Sequence, residues 1–365
     1  MPLVHVVGAR PNFVKAAPVI TALVERGAHQ LVVHTGQHHD DELSGIFFRD
    51  LGMAAPDVSL EVGSGNPAQQ LARLLVRLDD CLGQLSPSLV IVYGDVNSTL
   101  AAALAAARLG LPVCHVEAGL RSFDMSMPEE LNRRVADLVS RLLMVTSPEA
   151  VDNLAAEGID PSRVHLVGNP MIDSLLANLD RLDPAAVGRR YGIAERYAVA
   201  TLHRPANVDR AADAGPIVAA LADVAGESGP GIQIVLPLHP RGREMLTAAG
   251  LDRVANVTVL PPLGYIDFLS LMRGAALVIT DSGGLQEETT VLGVPCLTLR
   301  PNTERPITIS HGTNRLISVA DLRDAVAGIL ALPPQPLGEP PPLWDGRAGE
   351  RIAAIVYDWM AGPGA

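Results

Sequence analysis

"SLVIVYGDVNST", residues 88–99, runs through an unbroken set of apolar residues, then reaches a glycine, an aspartate and small polar residues. A strand with one wet face would alternate apolar and polar positions. An uninterrupted run that ends in turn and helix-starting residues predicts a strand covered on both faces, with a helix following. The same unit recurs on either side. "LVHVVG" precedes "PNFVKAAPVITALVER", and "QLVVHT", "LPVCHVEA" and "RLLMVT" follow in turn. Strands alternating with helical patterns predict an α/β fold of parallel sheets covered by helices.

With 365 residues the chain exceeds the length at which a single core stops growing, so two domains are expected. Near "NLDRLDPAAVGRRYGIAERY" (178–197) the pattern gives way to a charged stretch. It restarts at "AVATLHRP" and continues through "IQIVLPLHP", "NVTVLPP", "AALVITDSGG" and "VPCLTLRP". The expected organisation is a first domain over 1–180, a second over 181–342 and a closing helix within 343–365. The proline-rich "LPPQPLGEPPP" (332–342) reads as a semi-rigid connector ahead of the amphipathic "GRAGERIAAIVYDWM".

Composition removes several classes of function. A formal net charge of -12 argues against a duplex nucleic-acid surface, which needs a basic face to replace counterions. Any phosphate must therefore be caught locally. Only 3% of residues are aromatic, which throws packing onto Ala, Leu and Val. Cys81, Cys114 and Cys296 are too few and too scattered for a disulfide framework or a metal site, and are expected to be buried apolar residues. "MPLVHVVGAR" has no basic lead or long apolar segment, and the apolar stretch at 101–107 is broken by Arg108 and Gly110. A cytoplasmic protein without a membrane partner is expected.

In open α/β sheets, ligands gather beyond the carboxyl ends of the strands. The polar residues there are Arg10, Asp95, Glu117, His203, His239 and the turn in "TDSGGLQEE" (280–288), drawn from both halves, which suggests a cleft between two sheets. With Ser282 as N-cap, Gly283 and Gly284 would leave unpaired amides facing an anion, with no side chains in its way. Glu288 lies four residues past Gly284 on the same helix face, where it can reach past a diphosphate to ribose hydroxyls. Glu287 is rotated by about 100°. Neither GxGxxG nor GxxxxGK[ST] occurs, so no nicotinamide cofactor or P-loop is expected. Arg10 and Lys15 are the cations at the first strand end. Asp95, Glu117 and Glu129 form a carboxylate set suited to acid and base work. Glu129 has a second reading, since Glu129–Arg133 and Glu130–Arg134 have ion-pair spacing on a helix. His38, His39, Asp40 and Asp41 in "GQHHDDE" (36–42) lack a matching ligand pair elsewhere, so no metal is expected.

Taken in order, "GARPNFVKAAP", "TGQH", "GDVNST", "HVEAGLRS", "PEELNRR", "GNPMID", "TLHR", "TDSGGLQEE" and "ERP" resemble the non-hydrolysing UDP-N-acetylglucosamine 2-epimerases. The resemblance implies a GT-B fold, two Rossmann-like domains facing across a cleft, with the last helix crossing back to the first domain, and a homodimer. It implies interconversion of UDP-N-acetylglucosamine and UDP-N-acetylmannosamine by loss and return of UDP through a 2-acetamidoglucal, with no cofactor and no metal. By position, Asp95, Glu117 and Glu129 match the family's acid/base carboxylates, and His203 matches its histidine near the diphosphate. Arg10, Ser282, Gly283, Gly284, Glu288 and Arg315 match nucleotide contacts, and Lys15 a functional lysine; His239 joins the expected substrate-binding set. The chain departs from many members in a shorter segment between "GLRS" and "PEE" and in Ile307, where an acidic residue is common. Related enzymes act on UDP-linked diacetamido uronates. A hydrolysing 2-epimerase is one alternative, and a GT-B glycosyltransferase, which would bind UDP through a similar helix start, is another.

Overall fold

A computed structural model describes residues 1–36, 41–63, 65–204, 207, 211–238, 240–333 and 338–362. The chain forms two compact units, Met1–Ala177 with Pro342–Ala365, and Asn178–Pro341. The connector residues 334–337 lie outside the described residues.

In the first unit, β1 (Leu3–Val7), β2 (Gln30–His34), β3 (Val58–Ser59), β4 (Leu89–Tyr93), β5 (Val113–Ala118), β6 (Leu142–Val145) and β7 (Val164–Leu166) form a parallel sheet. Its order is β3-β2-β1-β4-β5-β6-β7. The strand order reverses between β1 and β4, so the connections leaving those two strands diverge to opposite faces and open a crevice at their carboxyl ends. All five residues of β4 are buried, as its continuous apolar run requires. Covering helices present apolar residues at helical spacing: Leu74, Leu78 and Leu82 from the helix Pro67–Leu85 are fully buried. The helix Asn97–Arg108 contributes Ala101, Ala102, Ala103, Ala105 and Ala106, small side chains that let it lie close to the sheet.

The closing helix Ala348–Ala361 belongs to this first unit. It buries Ala348, Gly349, Ile352, Ala353 and Val356. Gly349 is needed for close approach, because a Cβ there would stand 2.6 Å from the Pro18 carbonyl oxygen of the helix Arg10–Glu25. Asp173, from the helix Pro170–Ala177, accepts the Gly349 amide at 2.7 Å and so supplies one of the missing bonds of the helix start. Trp344 Nε1 donates to the Thr146 carbonyl at 2.9 Å just ahead of it.

The second unit repeats the architecture. β8 (Tyr197–Thr201), β9 (Gln233–Pro237), β10 (Val257–Leu260), β11 (Leu277–Thr280), β12 (Cys296–Thr298) and β13 (Asn314–Leu316) pair in the order β10-β9-β8-β11-β12-β13, all parallel. Its reversal falls between β8 and β11. The charged stretch at 178–197 is not a bare linker. It holds a capped helix, Pro184–Tyr191, in which Asp183 accepts the Ala186 amide at 2.8 Å and Gly192 closes the end in the left-handed region. Cys114 and Cys296 are buried, whereas Cys81 is half-buried, and none is in a disulfide. Among the described residues no helix is long and apolar enough to cross a membrane.

Candidate active site

Each reversal of strand order collects candidate site residues. At the β1–β4 reversal, Asn12 ties the two strand ends together. Its Oδ1 accepts the Gly8 and Ala9 amides at 3.1 and 3.0 Å, and its Nδ2 donates to the Tyr93 carbonyl at 2.8 Å. Arg10, half-buried at the start of the following helix, places its guanidinium 5.5 Å from the centroid of the Phe47 ring. Lys15 lies further along that helix, is buried, and forms an ion pair with Glu117.

Glu117 owes its position to an irregular strand. β5 pairs with β6 through Val116 and Ala118 with a shift between them, so Glu117 is the extra residue of a bulge, with φ +73°. An L-residue held in the left-handed region costs about 1–2 kcal/mol. The bulge turns the carboxylate toward Lys15 and Gly94. A Cβ on Gly94 would stand 3.0 Å from Glu117 Oε2 and 3.1 Å from Lys15 Nζ, and Gly94 itself has φ +64°. Beneath the bulge, His115 joins the Gly94 carbonyl and Asp137, each at 2.7 Å. Burial opposes ionisation of Asp137, yet His115 and Arg121 hold its carboxyl below the usual carboxylate range.

Asp95, beside Gly94, pairs with Arg133, and its carbonyl accepts from Asn132 Nδ2 at 2.8 Å. The ion pairs expected from the i,i+4 spacings do not form among the described residues. Arg133 is buried and takes buried Glu130 at 2.5 Å together with Asp95, while Arg134 reaches Glu157 at 3.3 Å. The buried Arg133 guanidinium is taken up by Glu130 and Asp95, and half-buried Glu129 is not among these partners. Glu130 instead fixes the preceding loop, accepting the Ser122 amide and hydroxyl at 2.8 Å each.

At the β8–β11 reversal the organising residue is Asp281, which was quoted within "TDSGG" but assigned no role by the sequence. Its buried carboxylate accepts the His203 and Arg204 amides and Asn207 Nδ2 at 2.9–3.2 Å, and faces His203 Nδ1 at 2.8 Å. Burial alone would raise this carboxyl, but the His203 bond and the amide donors bring it down to about 2. Because the carboxylate accepts from Nδ1, Nε2 is the His203 nitrogen presented to a ligand. The His203 side chain is 58% exposed.

Ser282 caps the helix Gly283–Leu292 by conformation, and its hydroxyl makes no cap bond. Gly283 is glycine for a reason other than open space before a phosphate. A Cβ there would overlap the Arg305 guanidinium and stand 2.8 Å from Glu304 Oε1. Arg305 in turn pairs with Glu304 at 2.7 Å and Glu287 at 3.0 Å, all three being buried. Glu287 therefore anchors an arginine to the helix start. Glu288, on the other face, lies against the buried Tyr265, whose hydroxyl is pushed well up by burial and by the Glu288 charge. Gly284 is half-buried.

Arg315 is not brought to this helix. Asn314 points toward it, donating to Gln286 Oε1 at 3.0 Å, and neighbouring strand residues point to opposite faces, so exposed Arg315 in β13 points away. The arginine at the helix start is Arg305, the one contained in "ERP". His239, along with His38, His39 and Asp40 of "GQHHDDE", lies outside the described residues. Among the described residues no cluster of three His, Cys, Asp or Glu side chains could hold a metal ion.

The chain as a whole has counterparts among known proteins. The sequence pattern of the UDP-N-acetylglucosamine 2-epimerase family matches residues 22–357. A UDP-N-acetylglucosamine 2-epimerase of Methanococcus maripaludis is 36% identical over 360 residues, 96% of this chain and 97% of that one. The UDP-2,3-diacetamido-2,3-dideoxy-D-glucuronate 2-epimerase of Pseudomonas aeruginosa is 40% identical over 324 residues, 88% of this chain and 89% of that one. Among solved structures, the UDP-GlcNAc 2-epimerase of Methanocaldococcus jannaschii in complex with UDP-GlcNAc and UDP superposes with a TM-score of 0.92 at 36% identity, covering 98% of this chain and 100% of that one. The two parallel-sheet units are thus those of the GT-B fold, and the chain belongs to the UDP-N-acetylglucosamine 2-epimerase family.

Proposed function

We propose that the chain interconverts UDP-N-acetylglucosamine and UDP-N-acetylmannosamine by elimination and re-addition of UDP. The observation that carries this reading is the match, along nearly the whole chain, to a relative solved with UDP-GlcNAc and UDP. Loss of the C2 proton is difficult because that carbon is not acidic, so departure of UDP must lower the barrier. As the C2–H bond breaks, its electrons form the C1–C2 double bond and the C1–O bond electrons leave with UDP. In the return step a diphosphate oxygen attacks C1 and a proton reaches C2 on the other face.

The amides of Gly283 and Gly284, with Arg305 and the His203 ring, would stabilise the charge that develops on the departing diphosphate. Glu288 would accept the ribose hydroxyls. Lys15 supplies positive charge beside Glu117; Asp95, Glu117 and Glu129 would move the proton, with Arg10 as a further cation. Lys15 and Arg133 keep Glu117 and Asp95 in fixed geometry through their ion pairs. No metal or cofactor takes part in this scheme.

Proton NMR of the protein with UDP-N-acetylglucosamine in deuterated water tests the reading. UDP-N-acetylmannosamine carrying deuterium at C2 is the expected product. Protium retained at C2 would rule out the elimination, and free sugar with UDP would point to hydrolysis. A second substrate, a UDP-linked 2,3-diacetamido-2,3-dideoxy-D-glucuronate, is favoured by the Pseudomonas relative, and faster turnover of that compound would replace the first. A homodimer is part of the proposal. Leu131 and Leu138, one helical face seven residues apart on the helix Pro128–Val139, are 49% and 66% exposed, as an uncovered contact face would be. Light scattering at micromolar concentration reads the mass directly.

A further inference from the structure

Glu117 sits in a backbone conformation that an L-residue does not adopt unaided, so something must hold it there. The residues around the bulge identify the holder. His115, two positions before Glu117, directs Nε2 to the Gly94 carbonyl at 2.7 Å and Nδ1 to Asp137 Oδ1 at 2.7 Å. Gly119, two positions after Glu117, gives its amide to Asp137 Oδ2 at 3.1 Å. Asp137 Oδ2 also meets Arg121 Nη1 at 2.7 Å. One carboxylate, from the helix Pro128–Val139, thus grips the strand on both sides of the bulge and, through His115, the turn that leads to Asp95.

The protonation pattern follows from the partners. A backbone carbonyl only accepts, so Nε2 carries hydrogen. The ring is fully buried, with Asp137 bonded to its other nitrogen. Loss of either contact would free the Gly94 turn or the bulge of its restraint.

We infer that Asp137 and His115 are positioning residues that hold the Glu117 bulge and the Gly94 turn at the geometry the epimerisation needs. The inference rests on the proposed role of Glu117 in that reaction. Gly94 touches the Lys15–Glu117 pair and Asp95 follows it directly, so slack in the clamp moves two functional carboxylates at once. UDP recognition in the second unit is untouched by it.

The test compares Asp137→Asn with Glu157→Gln. Glu157 bonds the far side of Arg121 at 2.8 and 2.9 Å, so its variant weakens the same network without loosening the turn or the bulge. Misplacing a catalytic group by about 1 Å costs on the order of 100-fold. For Asp137→Asn, kcat should fall by about that factor, while KM and the calorimetric UDP affinity stay within roughly threefold, values expected when only reacting geometry is lost. Glu157→Gln should keep wild-type kcat even where its Tm falls as far. In 15N-resolved spectra of the wild type, His115 Nε2 should carry the proton that its bond to the Gly94 carbonyl requires. A folded Asp137→Asn protein with wild-type kcat, an equal kcat loss in Glu157→Gln, or a His115 ring with Nε2 unprotonated would each overturn the inference. If Asp137→Asn does not fold, His115→Gln carries the same kcat and KM expectations. A wild-type protein that fails to epimerise any UDP-2-acetamido sugar removes the proposed function instead, and the ring spectra still decide the geometry.

Discussion

Replacing Gly283 with alanine should be damaging even though alanine is the better helix former. Propensity favours the change by at most ~1 kcal/mol at a helix position. Against that, the new Cβ occupies the place of the Arg305 guanidinium, which is buried between Glu304 and Glu287 at 2.7 and 3.0 Å. Arginine ends are flexible, but this one has no solvent to move into without abandoning both carboxylates. Breaking a buried ion pair by taking away one partner costs ~3–5 kcal/mol. The net effect is then ~2–4 kcal/mol against the second unit, or a drop in Tm of roughly 5–15 °C for a unit of this size. UDP affinity should fall by about 10–100-fold, the loss of one charge-assisted contact. Scanning and titration calorimetry read the two quantities. The decisive comparison is made in an Arg305→Ala background, where Gly283→Ala should cost much less, because the Arg305 guanidinium is gone and Glu304, no longer held by it, can turn aside. Full additivity of the two substitutions, or a single variant with unchanged Tm and UDP affinity, would refute the reasoning.

Two further outcomes are expected. Glu288→Ala should weaken UDP binding by ~1.5–3 kcal/mol with a modest change in Tm, whereas Glu287→Ala should chiefly lower Tm, since it leaves Arg305 without one of its anchors; equal losses of UDP affinity by calorimetry would reject the division of labour. Burial raises the Asp173 carboxyl from 3.8 to about 6 against the pull of the Gly349 and Ala348 amides. A raised carboxyl stabilises the fold fully below pH ~4, and that contribution is lost as pH climbs through ~6, amounting to ~2–3 kcal/mol. Asp173→Asn keeps an acceptor for Gly349 and should be more stable than wild type at pH 8 but not at pH 4, and a urea-unfolding difference that is the same at both pH values would contradict this.

The alternation of apolar runs with helical patterns made the two parallel sheets legible, because a strand covered on both faces leaves an unmistakable composition in "SLVIVY". Strand-end residues were legible for the same reason. What the sequence could not show is set by pairing at a distance. "VCHVEAG" reads as a regular strand, and only its register against β6 makes Glu117 a bulge. The helix "PEELNRRVAD" offers two equivalent i,i+4 pairs, and Arg133, bound to both Asp95 and Glu130, decides against both. Asp281 stands in plain view before Ser282, but its hold on His203 spans the whole of the second sheet's strand reversal. Arg305 was within reach. "ERP" contains it, and strand alternation in "TNRL", with Asn314 turned inward, already sends Arg315 to the outer side.

The first unit holds Met1–Ala177 and Pro342–Ala365, and the segment between them folds as a unit of its own. During synthesis the order of completion is therefore reversed relative to the order of appearance. The second unit has all its strands before the first has its closing helix. Until that helix emerges, the helix Arg10–Glu25 lacks the surface that Gly349 fits so closely, the Thr146 carbonyl lacks the Trp344 indole, and Asp173 is a carboxylate with no helix start to cap. A nascent chain released early would carry a finished second unit and an unsealed first one, with apolar surface open to other chains. Joining residue 365 to residue 1 and opening the chain near residue 342 would make each unit continuous, and such a permuted protein should shorten the interval during which that surface is bare.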